Sequence, residues 1–243
     1  MCPPRCGAFR KLDNPRADDN DVPMSKIKAI FFDVGETLID ETRLMHLWAD
    51  TLGVDRLEFL SVLDDVIFKN EPIRRVFERM RPGFDVAAAR AQRKRDGTDF
   101  FIEARDLYAD ARPCLSLLKQ QGLFVGIAGN QPPTAKAALE SFGLDAHLIT
   151  TSAELGVDKP SPNFFQKILE LGGLRPEETV YVGDRVDNDV IPAQAAGMTA
   201  VFLERGPFGR VHARRGDAAG ADIHVKSLTE LPAALDGFRA GRR

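Results

Sequence analysis

The chain has 243 residues, of which 44% are hydrophobic and 28% charged, a composition typical of a globular protein with an ordinary apolar core. Global disorder and fibrous classes are therefore excluded. Lys and Arg number 33 against 36 Asp and Glu, and the net charge of −3 is too balanced to predict nucleic acid or an anionic membrane as the main partner. No segment approaches the roughly 18 apolar residues that a membrane-spanning helix needs.

The first 23 residues carry several prolines and alternating charges without an apolar run. Such a segment lacks the apolar side chains needed for packing, so residues 1–23 are predicted to be a disordered extension, and Met24 is a candidate start of translation. Three cysteines, at positions 2, 6 and 114, are an odd number that cannot form a disulfide framework. A reducing, cytoplasmic setting is the expectation.

Beyond residue 24, short apolar runs alternate with helical patterns, which predicts βαβ units and an α/β fold with a doubly wound parallel sheet. Near-continuous apolar or β-branched runs predict strands at 27–32, 123–128, 147–150, 179–182, 199–203 and 223–225. Helices are predicted at 112–121, 133–142, 162–171 and 190–196, with Gly122, Gly143, Gly172 and Gly197 as their C-terminal glycines. Residues 205–210 are predicted to form a turn-rich loop.

One segment interrupts this alternation, because residues 42–107 show helical periodicity without a convincing strand. The segment stands between the first and second predicted strands. We therefore predict a small all-helical cap domain at 42–107 and a core formed by residues 24–41 and 108–235. The Arg-rich end, 236–243, is predicted to be a tail.

Polar residues follow three of the predicted strands, at the edge where open α/β sheets bind their ligands. Each of them has an ordinary structural explanation, as a helix cap, a turn residue or a surface charge. Their combination, in this order along the chain, is better explained by one shared site. The residues are Asp33 after the first strand, Gly129 and Asn130 after the second, Lys159 before a helix, and Asp184 and Asp189 after the fourth strand.

These residues stand in segments that resemble the four signatures of the haloacid dehalogenase-like hydrolase superfamily. The segments are Phe-Asp-Val-Gly-Glu-Thr-Leu at 32–38, Gly-Ile-Ala-Gly-Asn at 126–130, Lys-Pro-Ser-Pro at 159–162 and Val-Gly-Asp-Arg-Val-Asp-Asn-Asp at 182–189. The resemblance extends from residue 27 to residue 203. The helical insertion directly after the first signature is similar to the cap of the superfamily's first subfamily.

The resemblance implies a hydrolase in which Asp33 is the nucleophile and forms an aspartyl intermediate that water then hydrolyses. It also implies a Mg²⁺ site, and oxygen ligands suit such a hard cation. Lys159 would neutralise charge between Asp33 and a phosphoryl group. The implied metal ligands are Asp33, the backbone carbonyl of Gly35, Asp184 and Asp189, and the implied phosphoryl contacts are Thr37, Gly129 and Asn130.

Two positions depart from the family pattern. Gly35 stands where the family's phosphatases usually carry an Asp that serves as general acid and base. The next residue, Glu36, is a possible replacement. Without such help a phosphatase loses about 10²- to 10⁴-fold in rate, so slow turnover is expected. Gly129 replaces the usual Ser or Thr of the second signature and removes one hydroxyl contact.

The resemblance therefore favours a Mg²⁺-dependent phosphatase of a small phosphorylated metabolite. A metal-independent 2-haloacid dehalogenase is the first alternative, because members with that activity also lack the second Asp of the first signature. A non-catalytic descendant that binds a phosphorylated ligand or a protein partner is the second alternative. Neither nucleic acid nor a membrane is expected as a partner, and the sequence does not determine the oligomeric state.

Overall fold

A computed structural model of the chain describes residues 27–241. The predicted extension at 1–23 lies outside this range, as do residues 24–26 and the last two residues. The strands are β1 (Ala29–Phe32), β2 (Phe124–Gly129), β3 (Leu148–Thr151), β4 (Thr179–Gly183), β5 (Thr199–Leu203) and β6 (Ile223–Val225). The α-helices are α1 (Thr42–Leu52), α2 (Arg56–Phe68), α3 (Arg74–Met80), α4 (Val86–Arg95), α5 (Ala111–Gln120), α6 (Pro133–Ser141), α7 (Ser152–Leu155), α8 (Pro162–Gly172), α9 (Ile191–Ala195), α10 (Gly206–Arg215) and α11 (Leu231–Gly241).

The strands form one parallel sheet in the order β3-β2-β1-β4-β5-β6, which confirms the predicted doubly wound α/β fold. From β1 the chain builds outward through β2 to β3, and then returns to place β4 on the other side of β1. This reversal leaves a crevice beyond the carboxyl ends of β1 and β4, since the following segments turn away from each other there.

Both faces of the sheet are covered, which is why its strands are continuous apolar runs in the sequence. Ile30 and Phe32 of β1 pack in the cluster that contains the buried side chains of α5 and α11. Phe31 points the other way, into the cluster that contains the buried side chains of α8 and α9. Successive strand side chains alternate between faces, so one short strand anchors two separate layers of helices.

The segment between β1 and β2 is helical, as its periodicity predicts, and comprises α1 to α4 followed by a short 3₁₀ turn at Ala104–Asp106. These helices share an apolar cluster of their own, which includes Phe59, Val66 and Phe77. Val211 of α10 joins that cluster, so the insertion packs against a helix of the sheet layer. The division of the chain into cap and core at residues 42 and 107 stays a prediction.

Three local expectations are wrong. Helix α8 continues through Gly172, and Gly173, with φ of +61°, supplies the left-handed residue that ends it. The predicted loop at 205–210 is instead the start of α10, where Pro207 occupies a first-turn position that needs no N–H donor. Helix α11 continues through residues 236–241 of the predicted tail, where Phe238 packs against the core cluster.

Within residues 27–241, no helix is both long enough and apolar enough to cross a membrane.

Candidate active site

Three carboxylates meet in the crevice beyond β1 and β4. Asp33 follows β1 and Asp184 follows β4, and these strands are neighbours in register, with Phe32 opposite Val182. A turn of π-helix after β4 brings Asp189 back to the same place. One carboxylate oxygen from each aspartate lies within 4.8 Å of the other two, and all three residues are buried. The fold thus brings together the three predicted acidic residues.

Lys159 lies between two of these carboxylates. Its Nζ is 2.7 Å from Oδ1 of Asp33 and 2.5 Å from Oδ1 of Asp189, and the residue is only 4% exposed. Burial alone lowers the pKa of an amine, but here Asp189 and Asp33 prevail and hold the pKa of Lys159 well above its usual value. The ammonium group therefore stays charged, and it is the counter-ion of the aspartate cluster.

Asn130 attaches the loop after β2 to the loop that carries Lys159. Its Oδ1 accepts a hydrogen bond from the backbone N–H of Lys159 at 2.8 Å, and its Nδ2 donates to the carbonyl of the same residue at 2.9 Å. The two bonds hold the lysine backbone at both ends. The sequence predicts a phosphoryl contact for Asn130, and the side chain has this second task of positioning the lysine.

The aspartates carry more negative charge than one lysine balances. Burial, with Asp189 and Asp33 nearby, raises the pKa of Asp184 well above its usual value. Burial also raises the pKa of Asp189 to about 6, with Lys159 opposing the rise and Asp33 adding to it. Such a cluster of buried oxygens suits a hard divalent cation, which would relieve the repulsion among the carboxylates. The residues present fit Mg²⁺.

Two glycines allow these carboxylates to lie directly against the strands. A Cβ atom at Gly129 would stand 2.4 Å from Oδ1 of Asp33, and one at Gly183 would stand 2.3 Å from Oδ2 of Asp189. Real side chains do not approach so closely, so a larger residue at either position requires the aspartate to move. An oxygen of Asp33 thus occupies the space that the side chain of a Ser or Thr at position 129 would need.

Thr37, a predicted phosphoryl contact, is fully buried in the loop after β1. Its Oγ1 has no hydrogen-bond partner among the described residues. Its backbone carbonyl accepts a hydrogen bond from Nη1 of Arg205 at 3.0 Å, which holds the loop. A buried hydroxyl without a partner is costly, and Oγ1 of Thr37 still has a hydrogen bond to donate.

Glu36, the candidate replacement acid, is tied down by its neighbours. Its Oε2 accepts a hydrogen bond from the hydroxyl of Tyr108 at 2.5 Å, and its Oε1 accepts one from the backbone N–H of Glu41 at 3.2 Å. Burial raises its pKa, and the Tyr108 bond opposes that rise. A Cβ at Gly206 would stand 2.5 Å from its Cγ, so the backbone of α10 packs directly on this side chain.

Glu41 is the site residue that the sequence reasoning misses. A Cβ atom on Gly35 would stand 2.6 Å from Oε1 and 2.9 Å from Cδ of Glu41, so its carboxyl group lies where the side chain of residue 35 would begin. Burial raises the pKa of Glu41 to about 7, with contributions from Glu36 and Asp33, while a hydrogen bond from Gln131 lowers it. The signal available in the sequence is an acidic residue six positions after the glycine.

A cavity of about 160 Å³ adjoins Glu41 between the helical insertion and the loop after β2. Trp48 and Phe100 give it an apolar side, and Arg93, which stacks 3.8 Å from the Trp48 ring centroid, gives it a cationic one. A more open cleft of about 580 Å³ lies beside it, and Arg90 lines both spaces. Asp99 also lines the cavity and pairs with Arg93 at 3.6 Å and with Arg90 at 3.8 Å, so the lining is mixed in charge and its size suits a small molecule.

Comparison with known proteins matches residues 27–197 to the family of haloacid dehalogenase-like hydrolases. The chain belongs to this family. Its α/β sheet, helical insertion and polar strand ends therefore form the framework of a hydrolase, as the resemblance in the sequence implies. The protein is an enzyme that cleaves bonds with water.

Among relatives, the chain is 32% identical over 198 residues to the phosphoserine phosphatase of Thermus thermophilus, covering 76% of each chain. It is 26% identical over 230 residues to the glyceraldehyde 3-phosphate phosphatase of Pyrococcus furiosus, covering 88% of this chain and 93% of that one. The crystal structure of a putative haloacid dehalogenase-like hydrolase from Bacteroides fragilis superposes with a TM-score of 0.62 at 21% identity, covering 85% of this chain and all of that chain. The last likeness establishes the fold alone.

Proposed function

We propose that the protein is a Mg²⁺-dependent phosphatase of a small phosphorylated metabolite. The observation that carries the proposal is the buried cluster of Asp33, Asp184 and Asp189 around the charged amine of Lys159. The names of the two relatives above, both phosphatases, support it. A cytoplasmic location belongs to the same proposal, on the evidence of the cysteine content.

Asp33 is the nucleophile in this proposal. One of its carboxylate oxygens attacks phosphorus, the bond to the leaving oxygen breaks, and that oxygen departs with the electron pair and takes a proton. Water then attacks the aspartyl phosphate and loses a proton, the bond from phosphorus to Asp33 breaks, and inorganic phosphate leaves. Lys159, 2.7 Å from Oδ1 of Asp33, neutralises the charge that would otherwise keep carboxylate and phosphoryl group apart.

Asp33, Asp184 and the carbonyl of Gly35 would hold Mg²⁺, with Asp189 in support. When bound, the cation would neutralise phosphoryl oxygens and withdraw charge from the developing transition state. The buried hydroxyl of Thr37 is available to donate to a phosphoryl oxygen. Asn130 keeps the lysine loop in place through its two bonds to the Lys159 backbone.

The proposal is preferred to a metal-independent 2-haloacid dehalogenase for a physical reason. Asp189 and Asp33 both add to the rise in the pKa of Asp184, and Asp33 adds to that of Asp189. Burying these carboxylates together costs more than Lys159 alone offsets, and a bound cation would reduce that cost. A non-catalytic descendant is disfavoured because the ion pair between Lys159 and Asp33 is preserved in full. Both alternatives predict distinct outcomes in the test below.

The test is release of inorganic phosphate from a panel of small phosphoesters, measured with Mg²⁺ and with EDTA. We expect metal-dependent release by the wild type and none by Asp33→Asn, while Asp184→Ala should need far more Mg²⁺ for the same rate. Asp145→Asn, at an exposed ion pair with Lys119 away from the crevice, is the matched control and should retain activity. Release that survives in Asp33→Asn contradicts the covalent mechanism. Halide release from 2-haloacids without phosphate release favours the dehalogenase, and release of neither favours the non-catalytic descendant.

A further inference from the structure

The reaction described above needs a group that gives a proton to the leaving oxygen and later takes one from water, and Gly35 cannot supply it. We propose that the carboxyl group of Glu41 is this general acid and base, occupying from the far end of the same loop the space that Gly35 leaves open. The inference rests on the proposed phosphatase function and names a residue for a step that the function leaves unassigned.

The position of the carboxyl group is the first argument. Measured from an ideal Cβ on Gly35, the Glu41 carboxyl atoms Oε1, Cδ and Oε2 stand at 2.6, 2.9 and 3.2 Å. An aspartate at position 35 would place its own carboxyl group in the same small volume, because its carboxyl carbon is bonded directly to Cβ. Glu41 therefore places a carboxyl group beside Gly35, near enough to Asp33 for the charge of Asp33 to contribute to its raised pKa.

Hydrogen bonds hold Glu41 in place at its backbone and at its carboxyl group. Helix α1 begins directly after Glu41, and the backbone carbonyl of Glu41 accepts the N–H of Met45 at 3.0 Å, so the residue is fixed at the helix start. Its own N–H donates to Oε1 of Glu36, and its carboxyl group accepts a hydrogen bond from Gln131. A side chain held from both ends is preorganised for proton transfer.

The third argument is access to the leaving group. Glu41 lines the cavity of about 160 Å³ that Trp48, Arg93 and Phe100 complete, on the side of the helical insertion. In this proposal the organic part of a phosphoester occupies this cavity while its phosphoryl group is at Asp33, whose charge already contributes to the raised pKa of Glu41. The carboxyl group of Glu41 would then stand between the two, at the oxygen that leaves.

Glu36 does not meet these conditions. Both of its carboxylate oxygens accept hydrogen bonds from the protein, one from Tyr108 and one from the Glu41 backbone. Its aliphatic part packs against the backbone at Gly206. Glu36 is therefore a positioning residue that supports the loop on which Glu41 stands.

Proton balance is complete with one carboxyl group. In the first half, the Glu41 carboxylic acid gives its proton to the leaving oxygen as the bond to phosphorus breaks, so an alcohol departs and a carboxylate remains. In the second half, that carboxylate takes a proton from the attacking water as the new bond to phosphorus forms. Asp33 is released as a carboxylate, and Glu41 is again protonated for the next cycle.

The first experiment compares Glu41→Gln with the wild type on two substrates, an alkyl phosphate and p-nitrophenyl phosphate, in Mg²⁺. With the alkyl phosphate, whose leaving group needs a proton, turnover should fall by about 10²-fold or more. With the aryl phosphate, the first turnover should stay within a few-fold of the wild type, followed by slow steady-state release, because the aspartyl phosphate accumulates without a base. Glu58→Gln, the same change at an exposed position of α2, should leave the turnover of both substrates unchanged.

The second experiment moves the carboxyl group. Gly35→Asp alone should lower activity, since its Cβ meets Oε1 of Glu41 and two carboxylates then compete for one space. The double variant Gly35→Asp with Glu41→Ala removes that conflict, and should be at least tenfold faster on the alkyl phosphate than Glu41→Ala. This gain identifies a role of the carboxyl group in the reaction, which a purely structural role of Glu41 would not produce.

The outcomes separate the two proposals. Wild-type activity that requires Asp33, combined with equal first-turnover losses of Glu41→Gln on both substrates and no gain in the double variant, overturns the role of Glu41 and leaves the phosphatase function standing. A wild type that releases no phosphate from any ester overturns the function, and the role of Glu41 with it. A first-turnover loss confined to the alkyl phosphate, with a burst and slow steady-state release on the aryl phosphate, supports both.

Discussion

Replacing Lys159 with Met should make the stability of the folded state fall more steeply with rising pH than that of the wild type. The substitution keeps the length of the side chain and removes the charge that stands 2.7 Å from Asp33 and 2.5 Å from Asp189. Loss of one partner from a buried ion pair costs about 3–5 kcal/mol, because the remaining charge stays buried without compensation. We expect a loss of this size in the free energy of unfolding near neutral pH.

The sign of the pH dependence follows from the aspartates. The pKa of Asp189 is raised from 3.8 to about 6 in the folded wild type, so its contribution to stability falls as pH rises through that interval and is constant above it. Without Lys159 the pKa rises further. The variant should therefore continue to lose up to about 1.4 kcal/mol per pH unit above pH 6 for each carboxyl group that must ionise.

The measurement is urea denaturation in EDTA, at a series of pH values between about 5 and 8. Lys136→Met is the matched control, since Lys136 pairs with Glu154 at 2.6 Å near the surface, and exposed pairs contribute at most about 1 kcal/mol. The difference between Lys159→Met and the wild type should widen with pH, and the control should not. A small or pH-independent difference in the free energy of unfolding would show that Lys159 does not compensate the charge of the buried aspartates.

Two further predictions concern the packing of Gly129 against the nucleophile and the charge of His212. Gly129→Ala should lower kcat by at least tenfold, because its Cβ would stand 2.4 Å from Oδ1 of Asp33 and must displace the nucleophile; an unchanged rate in single-turnover kinetics contradicts this. His212→Gln should destabilise the fold more at about pH 5.5 than at about pH 9. Burial lowers the pKa of His212, but Asp187 and Asp217 together raise it above 6.5, so its stabilising charge is complete below that value and is lost as pH rises through the folded-state pKa. Equal losses in the free energy of unfolding at both pH values, measured by urea denaturation, would show that the charge on His212 does not stabilise the fold.

Much of the fold follows from the sequence because its signals are local. The run at 27–32 predicts a buried strand from side chains that are adjacent in the chain, and β1 (Ala29–Phe32) lies inside it. The prediction fails where local signals are ambiguous. The glycines and proline at 205–210 resemble a loop, yet Pro207 suits the first turn of α10 equally well.

The candidate site divides in the same way. The sequence points to Asp33, Asp184 and Asp189 because residues that follow parallel strands meet at one edge of the sheet. It points to Lys159, which precedes a helix, through the resemblance to the family's third signature. It also identifies the gap at Gly35. It does not reveal Glu41, since no strand end or motif marks that residue.

The amino-acid sequence by itself determined the α/β class, the helical insertion and the set of charged residues at the strand ends. Only the tertiary structure decided which carboxyl group lies in the space beside Gly35. That placement depends on contacts between residues far apart in the chain, such as the bond from Tyr108 to Glu36 across 72 positions, which holds the loop. Periodicity and spacing predict local structure from residues that are adjacent in the chain. The position of a side chain that fills the space beside another residue depends on packing in three dimensions.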